Sequence, residues 1–245
     1  FHGSRRKEFS RLIGKDSIAI IFSSSHQNKS YDGDFHFKQY KNFYYLTGFN
    51  EPDSALLLAP GGIKLNSDNK EKKVYDALYV QRKDPLMETW NGKRLGFKNV
   101  KQGLGIENGF ENFQLRDVLN PKILHKFSKL YINFAEIIKL NGDMKGILND
   151  FVNSLNKIAP HTEIIDASYM LGKMRSVKST YEIDLLKKAS EISIRSYNET
   201  IKLIKPGKNE NDIMASLEYQ YSINGSQDIA YYPIVASGEN ACILH

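Results

Sequence analysis

The sequence predicts an α/β domain over residues 1–172, followed from residue 173 by the opening of a second, helix-led domain. Three observations carry this reading. Short β-branched apolar runs alternate with helical spacing through the first part of the chain, the order expected when helices pack on a sheet. The polar segment "GKMRSVKS" (Gly172–Ser179) breaks that alternation, and a strong helix start follows it at once. The charge balance also changes sign: residues 1–179 hold 28 Lys and Arg against 19 Asp and Glu, whereas residues 180–245 hold 6 against 9.

The elements follow in order. Arg5–Ile13 spaces Phe9, Leu12 and Ile13 for one face of a short helix. "SIAIIF" (Ser17–Phe22) has the length and branching of a buried strand. A polar loop, Ser23–Asp34, leads to "FYYLTGF" (Phe43–Phe49), predicted as a second strand with Phe43, Tyr45 and Thr47 on one side and Tyr44 and Leu46 on the other. "NEPD" (Asn50–Asp53) is then a hairpin-like turn into a third strand, Ala55–Pro60. Asp76–Val80, Lys129–Asn133 and Glu163–Ala167 are predicted strands, and Met144–Ile158 a helix by its Ile147, Leu148, Phe151, Leu155, Ile158 stripe.

In the second domain, Ser179-Thr-Tyr-Glu182 is a capping box, in which hydroxyl and carboxylate satisfy free amides at a helix start. Helical spacing from Ile183 to Ile204 ends at Pro206-Gly207. Asn209 caps a further helix to about Asn224, and "IAYYPIVASG" (Ile229–Gly238) is predicted as a strand and turn. Two helices and one strand without a sheet partner read as the start of a domain.

Composition narrows the function classes. With 41% hydrophobic and 25% charged residues, the chain can bury a sizeable core and is not generally disordered. No apolar run has the length of a bilayer span, and the start lacks the apolar core of a signal peptide. One cysteine, Cys242, excludes an internal disulfide framework and points to a reducing, cytoplasmic setting. The net charge of +6 is spread over scattered lysines with little Arg, a solvated surface and not a nucleic-acid footprint.

Few motifs carry chemistry on their own. "DGDFH" sets Asp32, Asp34 and His36 at alternate positions, but nothing nearby completes a metal site, and a polar turn accounts for it. No His-x-His, His-Glu-x-x-His, phosphate loop or Gly-x-Ser-x-Gly elbow occurs. Cys242 in its apolar run reads as a buried small hydrophobe and not a nucleophile. Trp90, the single tryptophan, follows a short helix-like stretch and fits a core or an interface equally. The run "GENACILH" (Gly238–His245) delivers a histidine, so His245 is a candidate metal ligand or catalytic group.

Together the segments resemble a known family. "FKQYKNFYYLTGFNEPDSALLL" closely resembles the N-terminal domain of aminopeptidase P, the Xaa-Pro aminopeptidases. "DALYVQRKDPLMETWNGKRLG" continues the likeness, with Trp90, Gly92, Arg94 and Gly96 in the family's spacing. "MRSVKSTYEIDLLKKASEIS" and "AYYPIVASGENACILH" resemble the linker, first helix, first strand and histidine of its catalytic domain. Two positions depart: Lys38 stands where the family usually has Arg, and Asn42 where it commonly has Asp.

The resemblance implies a mixed sheet with helices in the first domain and an α+β pita-bread fold in the second. It implies a metallopeptidase that releases the N-terminal residue from peptides with proline second, using a hydroxide activated by two divalent ions, usually manganese. The ligands, two Asp, one His and two Glu, are expected beyond residue 245, so this chain alone is expected to bind no metal and to be inactive. His245 then matches a catalytic histidine beside the metals, implicated in substrate binding and stabilisation of the tetrahedral intermediate. Tyr231 matches a tyrosine near that pocket. The Trp90 segment resembles one that, in tetrameric members, reaches toward a neighbour's active site, so a homodimer or homotetramer is expected. A dipeptide-restricted prolidase and a metal-free peptide-binding pita-bread protein remain the alternatives.

Overall fold

A computed structural model describes residues 1–67, 70–137, 146, 150 and 161–244. The chain divides into two compact units, Phe1–Ser176 and Val177–His245. The expected helix Met144–Ile158 lies outside the described residues apart from Gly146 and Asp150.

Among the described residues the first unit is built on a six-stranded sheet of β1 (Ser17–Phe22), β4 (Ala55–Ser67), β5 (Lys70–Val80), β6 (Gly109–Glu111), β7 (Lys129–Ile132) and β8 (Glu163–Asp166). The order is β6-β5-β4-β1-β7-β8. β4 pairs antiparallel with both β1 and β5, whereas β1–β7, β7–β8 and β5–β6 are parallel, so the sheet is mixed as expected. A separate small ribbon joins β2 (Asn28–Ser30) and β3 (Gly33–Asp34).

β1 is buried on both faces, which explains its unbroken apolar run. Ile18, Ile20 and Phe22 pack with Leu57, Tyr79, Leu130 and Ile132 on one side. Ala19 and Ile21 pack on the other with Leu56, Leu78 and Tyr131, under Phe9 of α1 (His2–Ile13) and Phe43 and Leu46 of α2 (Lys41–Thr47). Each such large side chain contributes about 1.5–3 kcal/mol on leaving water. Arg6, only 5% exposed, ties α1 down by donating to the carbonyls of Leu46 at 2.9 Å, Leu104 at 3.2 Å and Gly105 at 2.8 Å.

Four local expectations are corrected. Lys41–Thr47 is a helix and not a strand, with every residue from Asn42 to Thr47 buried except Tyr44. One distant and one local feature decide it. The Glu136 carboxylate accepts the Asn42 N–H at the helix start (3.2 Å), and Gly48 stops the helix in the left-handed region at φ 69°. "NEPD" therefore links a helix to β4 instead of forming a hairpin turn. The segment expected as a polar linker, Gly172–Ser179, is helical through Ser176 because the helix Ser168–Ser176 buries Leu171 and carries Arg175, which donates to Asn42 Oδ1 at 3.0 Å. Ile229–Gly238 contains no strand: among the described residues of the second unit no strand offers it a ladder, and an unpaired strand leaves its backbone groups to solvent.

The two helices of the second unit form as read. Thr180–Ile201 starts at the Ser179 box, with Glu182 Oε2 accepting the Ser179 N–H at 2.8 Å and Ser179 Oγ accepting the Glu182 N–H at 3.4 Å. Glu210–Ile223 starts at Asn209, boxed with Asp212. Ser179→Ala is expected to destabilise the first of these helices by about 1 kcal/mol, read as a lower urea midpoint by circular dichroism; an unchanged midpoint would show that the cap contributes nothing.

Candidate functional site

The approach to His245 is organised from the start of the helix Glu210–Ile223. One carboxylate gathers the segment that precedes the histidine: Glu210 Oε1 accepts the Ser237 N–H at 2.7 Å, the Ser237 hydroxyl at 3.3 Å and Asn240 Nδ2 at 3.1 Å. The Asn240 and Ser237 hydrogen bonds hold the Glu210 carboxyl below the usual carboxylate range. A 3-10 turn, Gly238–Cys242, sits on this anchor and passes into extended backbone at Ile243. His245 itself lies outside the described residues.

The same unit holds a cavity of about 460 Å³ lined by Ser193, Tyr197, Tyr221, Asp228, Tyr231 and Pro233 among others. Burial, then the nearby Tyr197, pushes the Tyr221 hydroxyl up, so it stays a neutral phenol and hydrogen-bond donor at neutral pH. Tyr231, the expected substrate-side tyrosine, lines this cavity and is 76% exposed. Sequence reading missed Tyr197, Tyr221 and Glu210, which sit in ordinary helical spacing and have no signal of their own.

Trp90 belongs to the first unit. It is 82% exposed on the helix α3 (Pro85–Asn91), which also presents Leu86 and buries none of its residues. That geometry fits a contact anchor and excludes the core reading.

The Asp32, Asp34, His36 pattern gathers no metal ligands. Asp34 instead faces His26, with Nδ1 and Oδ2 3.8 Å apart. No group of three or more His, Cys, Asp or Glu among the described residues converges on a point that could hold a metal. The described residues therefore do not fit the metal pair that the resemblance implies. Nor is any helix among them long and apolar enough to cross a membrane. Cys242 is exposed and not the buried hydrophobe expected, since its turn lies on the surface of its unit.

One of the two departures, Asn42, has a local outcome: its amide oxygen accepts from the Arg175 guanidinium at 3.0 Å, and its N–H donates to Glu136.

Comparison with known proteins matches both units. Residues 2–131 match the family "Aminopeptidase P, N-terminal domain", and residues 184–245 match "Metallopeptidase family M24". The Xaa-Pro aminopeptidase of Haemophilus influenzae is 32% identical over 100% of this chain and 52% of its own length. That of Escherichia coli is 29% identical over 98% of this chain and 53% of its own length. The chain thus spans about half the length of the curated relatives it matches. Among solved structures, Escherichia coli aminopeptidase P with the inhibitor Pro-Leu superposes with a TM-score of 0.84 at 27% identity, covering 100% of this chain and 54% of that one. Pseudomonas aeruginosa aminopeptidase PepP gives 0.84 at 28%, over 100% and 53%. With the mixed sheet of the first unit and the capped helices that open an M24 pita-bread domain in the second, the chain belongs to the aminopeptidase P family.

Proposed function

We propose that the protein is a Xaa-Pro aminopeptidase, a metal-dependent hydrolase that removes the N-terminal residue from peptides with proline second. The observation that carries this reading is the pairing, in family order, of the aminopeptidase P N-terminal domain with an M24 segment on one chain. In this proposal His245 is a catalytic residue, donating to the developing oxyanion of the scissile carbonyl, and Tyr231 lies beside the substrate. Glu210 fixes the turn from which His245 is delivered. The first domain restricts access, and Trp90 makes a contact near a neighbour's site in a homodimer or homotetramer. The metals are two divalent ions, manganese by preference, on ligands beyond residue 245, and the setting is the cytoplasm.

Substrate length separates this reading from its nearest rival. A polypeptide joining this chain to the metal ligands, loaded with manganese, is expected to release Arg from Arg-Pro-Pro and to leave Gly-Pro intact. Cleavage of Gly-Pro alone would make the protein a prolidase. Peptide binding with neither cleavage nor metal uptake would make it a binding protein. The 245-residue chain alone is expected to cleave neither peptide.

A further inference from the structure

The Trp90 segment poses a mechanical problem. A helix that buries no residue gains nothing from a hydrophobic face, so its position depends on polar bonds at its ends. Most of those bonds are internal to the segment. Asp84 Oδ1 accepts the N–H groups of Leu86 at 3.0 Å and Met87 at 3.3 Å. Glu88 Oε1 accepts the Arg94 N–H at 3.0 Å, and Arg94 Nη1 donates to the Arg82 carbonyl at 2.8 Å. These bonds shape the loop without attaching it to the sheet.

The attachment comes from Glu51, in the loop between α2 and β4. Its Oε1 accepts the Leu95 N–H at 2.8 Å across 44 residues of sequence. Glu51 is itself fixed, because its carbonyl accepts from Gln39 Nε2 at 3.0 Å and the same amide's Oε1 accepts the Ser24 N–H at 2.8 Å. The neighbouring Asp53, held in the left-handed region at φ 51°, is locked by Ser25 Oγ at 2.6 Å and Gln81 Nε2 at 3.0 Å. Leu95 packs against the core beside α1 and α2. Next to it Gly96 turns at φ 69°, in the left-handed region that favours glycine. Glu51 Oε2 is buried without a hydrogen-bond partner, a cost that a surface carboxylate would escape by rotating into water.

We propose that Glu51 is a positioning residue for Trp90: its carboxylate clamps the Leu95 amide and so fixes where the exposed indole is presented. The proposal rests, for its consequence in catalysis, on the reading of Trp90 as a contact near a neighbour's site. The clamp itself is tested without that reading, because Trp90 is the single tryptophan of this chain. Time-resolved fluorescence anisotropy of the 245-residue chain reports nanosecond motion of the indole. Glu51→Ala is expected to raise the amplitude of fast depolarisation about twofold. Glu51→Gln keeps an acceptor oxygen for Leu95 and is expected to restore the unsubstituted value, which general stabilisation of the fold would not require. A folded Glu51→Ala chain with unchanged anisotropy overturns the clamp, as does a Glu51→Gln chain as mobile as Glu51→Ala. In the active enzyme Glu51→Ala and Trp90→Ala are expected to raise KM alike while kcat holds, and the double variant to be no worse than either. If Trp90→Ala leaves KM unchanged while Glu51→Ala still frees the indole, the clamp stands and the reading of Trp90 falls.

Discussion

Asn133→Ala is expected to destabilise the first unit by about 3–5 kcal/mol, because two buried backbone groups and a carboxylate lose their partner together. Asn133 is fully buried, just past the end of β7. Its Oδ1 accepts the Phe22 N–H at 2.9 Å and its Nδ2 donates to the Phe22 carbonyl at 3.0 Å, so the side-chain amide continues the β1–β7 ladder by one rung after the β7 backbone has turned away. The same Nδ2 donates to Glu136 Oε2 at 2.8 Å, and Glu136 in turn holds the start of α2 through Asn42. Truncation therefore strands the Phe22 amide and carbonyl in a dry interior and loosens Glu136. The expected readout is a urea midpoint lower by about 1–3 M. A shift under about 0.5 M would show that water or a backbone movement replaces the amide.

His245→Ala, in a polypeptide that joins this chain to the metal ligands, is expected to lower kcat by about 10²–10³-fold, the range seen when one donor to a developing oxyanion is removed. KM should change less, since the charge forms only in the transition state. Metal content is the discriminating measurement. A catalytic, non-ligating histidine leaves two metal ions bound after substitution; loss of an ion with activity would make His245 a ligand instead. Unchanged kcat with both ions in place would remove His245 from the mechanism.

β1, β7 and β8 were legible because each is a short apolar run that needs no distant information: Ser17–Phe22, Lys129–Ile132 and Glu163–Asp166 all fall within their predicted spans. β4 runs past its predicted end at Pro60, β5 starts before its predicted Asp76, and β6 (Gly109–Glu111) was not predicted, since three residues carry no strand pattern. The capped helices were legible for a similar reason, since Ser179 with Glu182 and Asn209 with Asp212 act over one turn. What failed was non-local. "FYYLTGF" satisfies a helix or a strand over so short a span, and an acid 94 residues away at Glu136 settles the start of the helix. "IAYYPIVASG" has strand composition, but composition cannot supply a neighbour. At the candidate site, the resemblance singled out His245, Tyr231 and Trp90. Glu210, which gathers Ser237 and Asn240, and Glu51, which accepts from Leu95, are lone carboxylates whose partners lie 27–30 and 44 residues away, so no periodicity marks them.

The placement of β1 between β4 and β7 has a consequence for how the protein is made. Both edges of this apolar strand must be closed, yet one closing strand begins at Ala55 and the rung beyond the other, at Asn133, lies 111 residues from Phe22. During synthesis the strand "SIAIIF" therefore emerges with one edge that can be filled early by β4 and one that stays open until β7 has left the ribosome. Closing so long a loop is slow, and an open hydrophobic edge is a template for pairing with another chain. The vulnerable species is thus a nascent chain shorter than β7, with shielding by a chaperone most needed over that interval.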